Sequence, residues 1–226
     1  ASGYIGSALV NELQSYSVKK LVRISRKKLK TEDNIEDWNI DLNDLDSWLK
    51  IVNDSDIIFH LSGNTSIAAA EKNPENSLNV EMLPITNLVN AAKELSIKPR
   101  VIYASTATIY GLTHEFPVSE DQPSVPITSY DSNKLSVEKK LKMATHENLI
   151  ESVSLRLANV YGPSINDSSA LDRGILSKIT RLGFENKSIR IYGTGNYIRD
   201  YIYIDDVVQA FLFASTLNYE KIKNQL

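Results

Sequence analysis

The chain has 226 residues, 42% of them hydrophobic, with 25 Lys and Arg against 28 Asp and Glu and a formal charge of −3. That length can bury a full core in one large domain, and the interspersed charges give none of the broad basic surface that nucleic-acid binding needs. With no cysteine there is no disulfide, thiolate metal ligand or cysteine nucleophile; His60, His114 and His146 lack ligand spacing, so no metal is expected, and no apolar run reaches a membrane span.

Ala1-Ser2-Gly3-Tyr4-Ile5-Gly6 opens a helix whose apolar stripe is Ile5, Leu9, Val10 and Leu13. Two glycines three apart at a helix start let backbone approach a pyrophosphate at the positive end of the dipole. The third glycine of such a loop, and the strand leading into it, would precede Ala1. Lys20 to Ser25 reads as a strand, and Ser25 and Arg26 lie about 20 residues past Gly6, where dinucleotide folds read the adenosine ribose. A carboxylate there suits NAD, whereas Arg26 with Lys27 and Lys28 favours the 2'-phosphate of NADP or is simply a solvated basic turn. Trp38 to Leu42 reads as a short strand. Asp56 to Leu61 is another, with the continuous apolar run of a parallel strand covered on both faces. Ser62-Gly63-Asn64 ends it with small residues suited to close cofactor approach.

A long helix is expected over about 75–95, with Val80, Leu83, Leu88, Ala91, Ala92 and Leu95 on its apolar side and Pro84 kinking or dividing it. Arg100 to Ala104 reads as a strand leading into Ser105-Thr106-Ala107-Thr108-Ile109-Tyr110-Gly111. A loop rich in Pro, Asp and Glu precedes a helix over about 127–143, where the spacing of Tyr130 and Lys134 puts phenol and ammonium on one face. A free phenol titrates near ~10 and must fall by roughly three units, about 4 kcal/mol, to accept a proton at neutral pH, which a fixed cation favours. Ser152 to Leu157 is a strand ending in Arg156-Leu157-Ala158-Asn159-Val160-Tyr161-Gly162-Pro163. Beyond it come a polar loop, a helix over about 171–182, a strand at 189–192, Gly193-Thr194-Gly195-Asn196-Tyr197-Ile198-Arg199-Asp200-Tyr201, a strand at Ile202-Tyr203-Ile204, and Asp205-Asp206 capping a helix to Ser215. Strands alternating with helices predict a parallel sheet with right-handed crossovers and ligands at the carboxyl ends of its strands.

Taken together, the glycine turn, Asp41-Leu42, His60-Leu61-Ser62-Gly63, Ser105-Thr106 before Tyr110-Gly111, Tyr130-x-x-x-Lys134, the Arg156 to Pro163 run and Gly193-x-Gly195-x-x-x-Arg199-Asp200 resemble the extended short-chain dehydrogenase/reductase family, in its nucleotide-sugar epimerase/dehydratase branch. The resemblance covers essentially the whole chain. It implies a doubly wound α/β Rossmann fold, with residues 1–163 as the NAD(P)-binding domain lacking its first strand and 164–226 as a truncated substrate-binding portion. The chain is therefore expected to be part of a longer polypeptide. Gly3, Tyr4, Ile5 and Gly6 would line the pyrophosphate, Asp41 and Leu42 the adenine, and Leu61, Ser62 and Gly63 would lie along the cofactor. Lys134 would hold the nicotinamide ribose and lower the pKa of Tyr130, Thr106 would bond the reacting sugar oxygen, and Asn159 and Arg199 would bind the diphosphate.

The implied reaction is oxidation of a nucleotide-sugar hydroxyl at C4 by NAD(P), then return of the hydride to the other face. A keto-sugar reductase using NADPH and a non-catalytic dinucleotide-binding module are the alternatives. A 4,6-dehydratase is disfavoured, because Ala107 and Thr108 stand where that branch has Asp-Glu. The composition makes a cytoplasmic enzyme the default expectation, and the resemblance further implies a homodimer formed through the Tyr130 helix and the long helix before it.

Overall fold

The computed structural model describes residues 2–26, 35–63, 66–113, 116–163, 174–190, 193 and 198–218. The expectations placed on Ala1, Lys27, Lys28, Asn64, His114, 164–173, 191–192 and 194–197 lie outside the described residues. Contacts divide the chain into two compact units, Ala1–Asn39 with Leu157–Ala210, and Ile40–Arg156 with Phe211–Leu226. These units interleave along the chain, whereas the boundary expected after Pro163 separates cofactor and substrate roles.

In the first unit, α1 (Tyr4–Leu13) buries Leu9, Val10 and Leu13, as its stripe predicts. The strands β1 (Leu21–Ile24) and β2 (Ile35–Trp38) pair in parallel. β2 thus ends where a strand was expected to begin: Asp41 and Leu42 form a turn, with the Asn43 N–H donating to the Asp41 carboxylate at 3.0 Å. Aspartate followed by asparagine competes with a ladder by such local bonds. Arg23 is buried and donates to Asp37, its register partner, through Nε at 2.6 Å and a second nitrogen at 2.8 Å. This fork holds the Asp37 carboxyl below its ordinary pKa. Further along, β6 (Asn159–Tyr161) pairs in parallel with β7 (Tyr201–Tyr203), which runs into α7 (Ile204–Thr216) with Asp205 and Asp206 in its first turn. Between them α6 (Ile175–Phe184) starts later than expected, and Ile189 and Arg190 form no strand.

The second unit carries α2 (Leu45–Asn53), β3 (Ile57–His60), α3 (Ile67–Lys72), α4 (Pro74–Leu95), β4 (Arg100–Thr106), α5 (Ser129–His146) and β5 (Glu151–Leu157). The sheet order is β3-β4-β5, with β3 and β4 parallel. Val101, Ile102 and Tyr103 of β4 are fully buried, as are Ile85 and Leu88 of α4 and Val137 and Leu141 of α5. Covering on both faces was expected for β3, yet Ile57 is 40% exposed.

Pro84 does not divide α4, which runs 22 residues with Pro84 buried inside it. Packing outweighs the lost backbone bond. The buried face is also rotated from the expected one: Val80 and Leu83 are exposed, while Ser77, Glu81, Pro84, Ile85, Leu88 and Ala92 face inward. At its far end Arg100 joins β4 to β5 through Glu151 at 2.7 Å and donates to the carbonyls of Ser215 and Leu217 at the end of α7.

Candidate active site

The described partners of Tyr130 and Lys134, namely Glu81, Tyr103, Ala104 and Asp131, belong to the second unit. α5 begins at a capping box in which Thr128 and Asp131 exchange side-chain and backbone bonds, and this fixes where Tyr130 leaves the helix. β4 ends at Thr106, the cap of a 3-10 turn over Ala107–Tyr110. The Thr106 hydroxyl lies 2.9 Å from that of Thr108, and Thr108 in turn donates to the Asp131 carboxylate. Thr106, Thr108 and Asp131 are thereby one hydrogen-bonded line ending beside Tyr130.

Lys134 is buried. Its Nζ donates to Glu81 Oε2 at 3.3 Å and to the Ala104 carbonyl at 3.4 Å, and lies 5.0 Å from the Tyr103 ring centroid and 5.9 Å from that of Tyr130. The pair is deep, with side chains 8% and 2% exposed. Gly63 makes room for it: a Cβ there would stand 2.6 Å from Glu81 Oε1.

The sequence leads to a phenol polarised downward by Lys134. Here the Tyr130 pKa is instead pushed up to about 12, chiefly by burial and then by the charges of Glu81 and Asp131. Glu81 absorbs the cation that was to act on the phenol. His60 ends β3 buried among Trp48 and Tyr103, with Ser62 Oγ 3.3 Å from Nε2, and burial followed by the charge of Lys134 pushes its imidazole down to about 3. The Tyr103 hydroxyl is buried without a hydrogen-bond partner among the described residues. A second network braces the site: Ser105 donates to Glu138, Arg156 forks onto Glu138 at 2.8 Å and 3.2 Å, and Arg156 also reaches the Tyr110 hydroxyl at 2.7 Å.

In the first unit Gly3 caps α1 without a side-chain cap bond, and no acidic residue occupies the first turn. A Cβ on Gly3 would meet nothing within 4 Å. The Tyr4 hydroxyl donates to the Gly162 carbonyl at 2.9 Å, while Ile5 lies in the first turn with Gly6 buried. Ser25 and exposed Arg26 follow β1, with Ser25 Oγ 3.3 Å from Ser2 Oγ. Arg23, at the start of the basic stretch, is committed to Asp37. The Asn159 amide donates to the Asp200 carbonyl at 2.8 Å, stitching β6 to β7, and Arg199 is exposed with a bond to the Ile198 carbonyl.

Glu81, Thr108 and Asp131 were not singled out by motif. A signal for Glu81 existed, since positions 81, 85, 88 and 92 share one helical face and a carboxylate on that stripe needs a partner. Asp131 was legible only as part of Thr128-x-x-Asp131, and its bond to Thr108 is tertiary.

Parallel strands alternating with helices, a glycine turn heading α1 and the Tyr130/Lys134 pair on α5 define a Rossmann-type α/β protein. A family model described as the NAD dependent epimerase/dehydratase family matches residues 1–225, and the chain belongs to that family. It is 28% identical over 223 residues to a UDP-glucose 4-epimerase of Mycolicibacterium smegmatis, covering 95% of this chain and 71% of the relative. Among solved structures it resembles UDP-N-acetylglucosamine 4-epimerase from Methanobrevibacter ruminantium in complex with UDP-N-acetylmuramic acid (28% identity, TM-score 0.84, 96% of this chain and 71% of the other). It likewise resembles UDP-glucuronic acid 4-epimerase from Bacillus cereus in complex with UDP-glucuronic acid and NAD (25% identity, TM-score 0.82, 96% and 71%).

Proposed function

We propose that the chain is an NAD(P)-dependent nucleotide-sugar 4-epimerase acting through Thr106, Tyr130 and Lys134. The observation that carries this reading is the convergence of those three residues, with Glu81 and Asp131, in one compact unit, in a chain whose relatives are named as UDP-sugar 4-epimerases.

The residues fit the cofactor. The head of α1 offers open space at Gly3 and no acidic residue in its first turn, which suits a pyrophosphate. Gly3, Tyr4, Ile5 and Gly6 would take that group, Ser25 and Arg26 the adenosine ribose, Asp41 and Leu42 the adenine, and Leu61, Ser62 and Gly63 the remainder. Bound NAD supplies the acceptor and later the donor of a hydride. Lys134 would steer the nicotinamide ribose, and Thr106 and Tyr130 would hold the sugar C4 oxygen while its proton leaves and returns. Asn159 and Arg199 would contact the diphosphate, Asn159 only by giving up its bond to Asp200, and residues 164–226 would complete the sugar pocket. A homodimer in the cytoplasm belongs to the same reading, with sedimentation its check.

The test is incubation with UDP-glucose, UDP-N-acetylglucosamine and UDP-glucuronic acid, followed by NMR, with Tyr130→Phe alongside. The expected outcome is the C4 epimer with no net cofactor turnover, lost in the variant. Arg26 favours a second reading: conversion needing stoichiometric NADPH would make the chain a keto-sugar reductase.

A further inference from the structure

We propose that Glu81 is a positioning residue whose carboxylate chooses between two donors, the Lys134 ammonium and the Tyr103 hydroxyl, and that its turn from the first to the second releases Lys134 to act on the cofactor ribose and on Tyr130. This deepens the epimerase reading and rests on it.

Three buried groups carry the argument. Glu81 lies on the inward face of α4 with its side chain 2% exposed, and its carboxylate is pressed against the end of β3: a Cβ on Gly63 would stand 2.6 Å from Oε1 and 2.8 Å from Oε2. Lys134 of α5 donates to Oε2 at 3.3 Å and to the Ala104 carbonyl at 3.4 Å. An ammonium has three protons to give, and both contacts are longer than the ~2.7–2.9 Å of a well-seated charge-assisted bond. The ammonium is thus held loosely, with room to change partners. Tyr103 of β4 lies beneath it, the ring centroid 5.0 Å from Nζ. Its hydroxyl is buried with no hydrogen-bond partner among the described residues, and the Glu81 charge acts on it. A buried hydroxyl without a partner is costly, and a neighbouring carboxylate is the acceptor that would satisfy it.

Counting charges shows why the choice of donor matters. With Lys134 on Glu81 the pair is neutral, so ionising Tyr130 would bury a negative charge with no cation of its own. Burial first and then the Glu81 charge accordingly push the phenol up to about 12. With Glu81 turned to Tyr103, the carboxylate keeps a hydrogen bond, and the ammonium, 5.9 Å from the Tyr130 ring centroid, becomes available to the phenolate and to the ribose. The other groups around the pair are engaged or uncharged. Asp131 of α5 accepts from the Thr108 and Thr128 hydroxyls and the Thr128 N–H, Glu138 of α5 is paired with Arg156 of β5, and Glu71 of α3 accepts the Ser129 N–H. His60 of β3 is neutral, its imidazole pushed down by burial.

The test uses the full chain with Tyr103→Phe and Glu81→Gln, and reads NAD binding by calorimetry beside thermal melts. Removing an unsatisfied hydroxyl costs the fold little, so Tyr103→Phe should melt at or above the wild-type temperature. It should nonetheless bind NAD about tenfold more weakly, a common size for coupling between sites, because Glu81 has lost the donor that lets Lys134 go. Glu81→Gln should show the opposite split: a weaker fold, NAD bound about tenfold tighter, and a Tyr130 midpoint lower by a similar factor, about one unit, since neither event waits for Lys134 to leave a carboxylate. A residue that merely scaffolds Lys134 would weaken NAD binding when removed. In the wild type, an isotope-labelled Glu81 carboxyl, assigned by its absence in Glu81→Gln, should titrate higher with NAD bound than without. Wild-type NAD affinity in Tyr103→Phe, weaker affinity in Glu81→Gln, or a Glu81 carboxyl unmoved by NAD would overturn the switch. If the wild-type chain binds neither NAD nor NADP, the epimerase reading fails on its own, and an unchanged Tyr130 midpoint in Glu81→Gln would overturn the switch separately.

Discussion

His60 and Glu81 show at the scale of single residues how burial reshapes what a motif implies. Unfolded, His60 binds a proton below about 6.5; folded, it resists protonation down to about 3. The unfolded state therefore holds more protons between those values, so acidification through that window destabilises the fold, by up to about 5 kcal/mol if the full shift is realised. Above about 6.5 the imidazole is neutral in both states and contributes no slope. His60→Gln is expected to flatten the acid limb in urea melts taken from pH 7 to pH 4, and an unchanged limb would show that His60 is not the sensitive group. Glu81→Gln should have two effects. Lys134 loses its buried counter-charge, costing about 3–5 kcal/mol in a urea melt. The Tyr130 midpoint falls below about 12, because the second cause of its rise is gone; tyrosinate absorbance of Glu81→Gln against the same variant carrying Tyr130→Phe reads this directly. Tyr130 and Lys134 were plain in the sequence, but the carboxylate paired with Lys134 was not, because a motif read in one dimension carries no information about α4.

Among the elements, α4 and the turn after β4 matter most. The expected face of α4 was drawn from its most apolar residues; Leu88, Ala91 and Ala92 are buried as expected, but Val80 and Leu83 are exposed and Ser77, Glu81 and Pro84 are buried instead. The choice is forced by partners: Asn133 donates to the Ser77 hydroxyl at 3.0 Å and Lys134 to Glu81, so α5 supplies bonds that make those polar groups buriable. After β4, Gly111 has φ of +71°, and a Cβ there would lie 2.1 Å from the Val125 carbonyl oxygen. Gly111→Ala should cost roughly 2–3 kcal/mol from backbone strain and the clash. It should also disturb the adjacent Tyr110 contact with Arg156, lowering the thermal midpoint and turnover together. A fully active, equally stable Gly111→Ala would refute the steric account.

For the molecule as a whole, family membership and the open head of α1 predict stabilisation by NAD. At a hundredfold excess over Kd the native state should gain about 2.7 kcal/mol, a rise of roughly 5–10 °C for a chain of this length. Thermal melts with NAD and NADP side by side check it. A larger shift with NADP, lost in Arg26→Ala, would select the reductase reading. Arg23, by contrast, is engaged with Asp37 through two guanidinium nitrogens.

The sequence alone determined the fold class, the order of most strands and helices, and the placing of Tyr130 and Lys134 on one helix face, whereas Thr106 was reached only through the family resemblance. The former follow from periodicity, from glycine and capping residues, and from spacing along one helix, all of which are local or repeat in one dimension. It did not determine which face α4 buries, where β2 ends, what charge faces Lys134, or that Thr106 connects through Thr108 to Asp131. Each of those depends on groups far apart in sequence meeting where water is excluded, and there an ion pair or a hydrogen-bonded line sets protonation more strongly than the intrinsic chemistry of any one side chain.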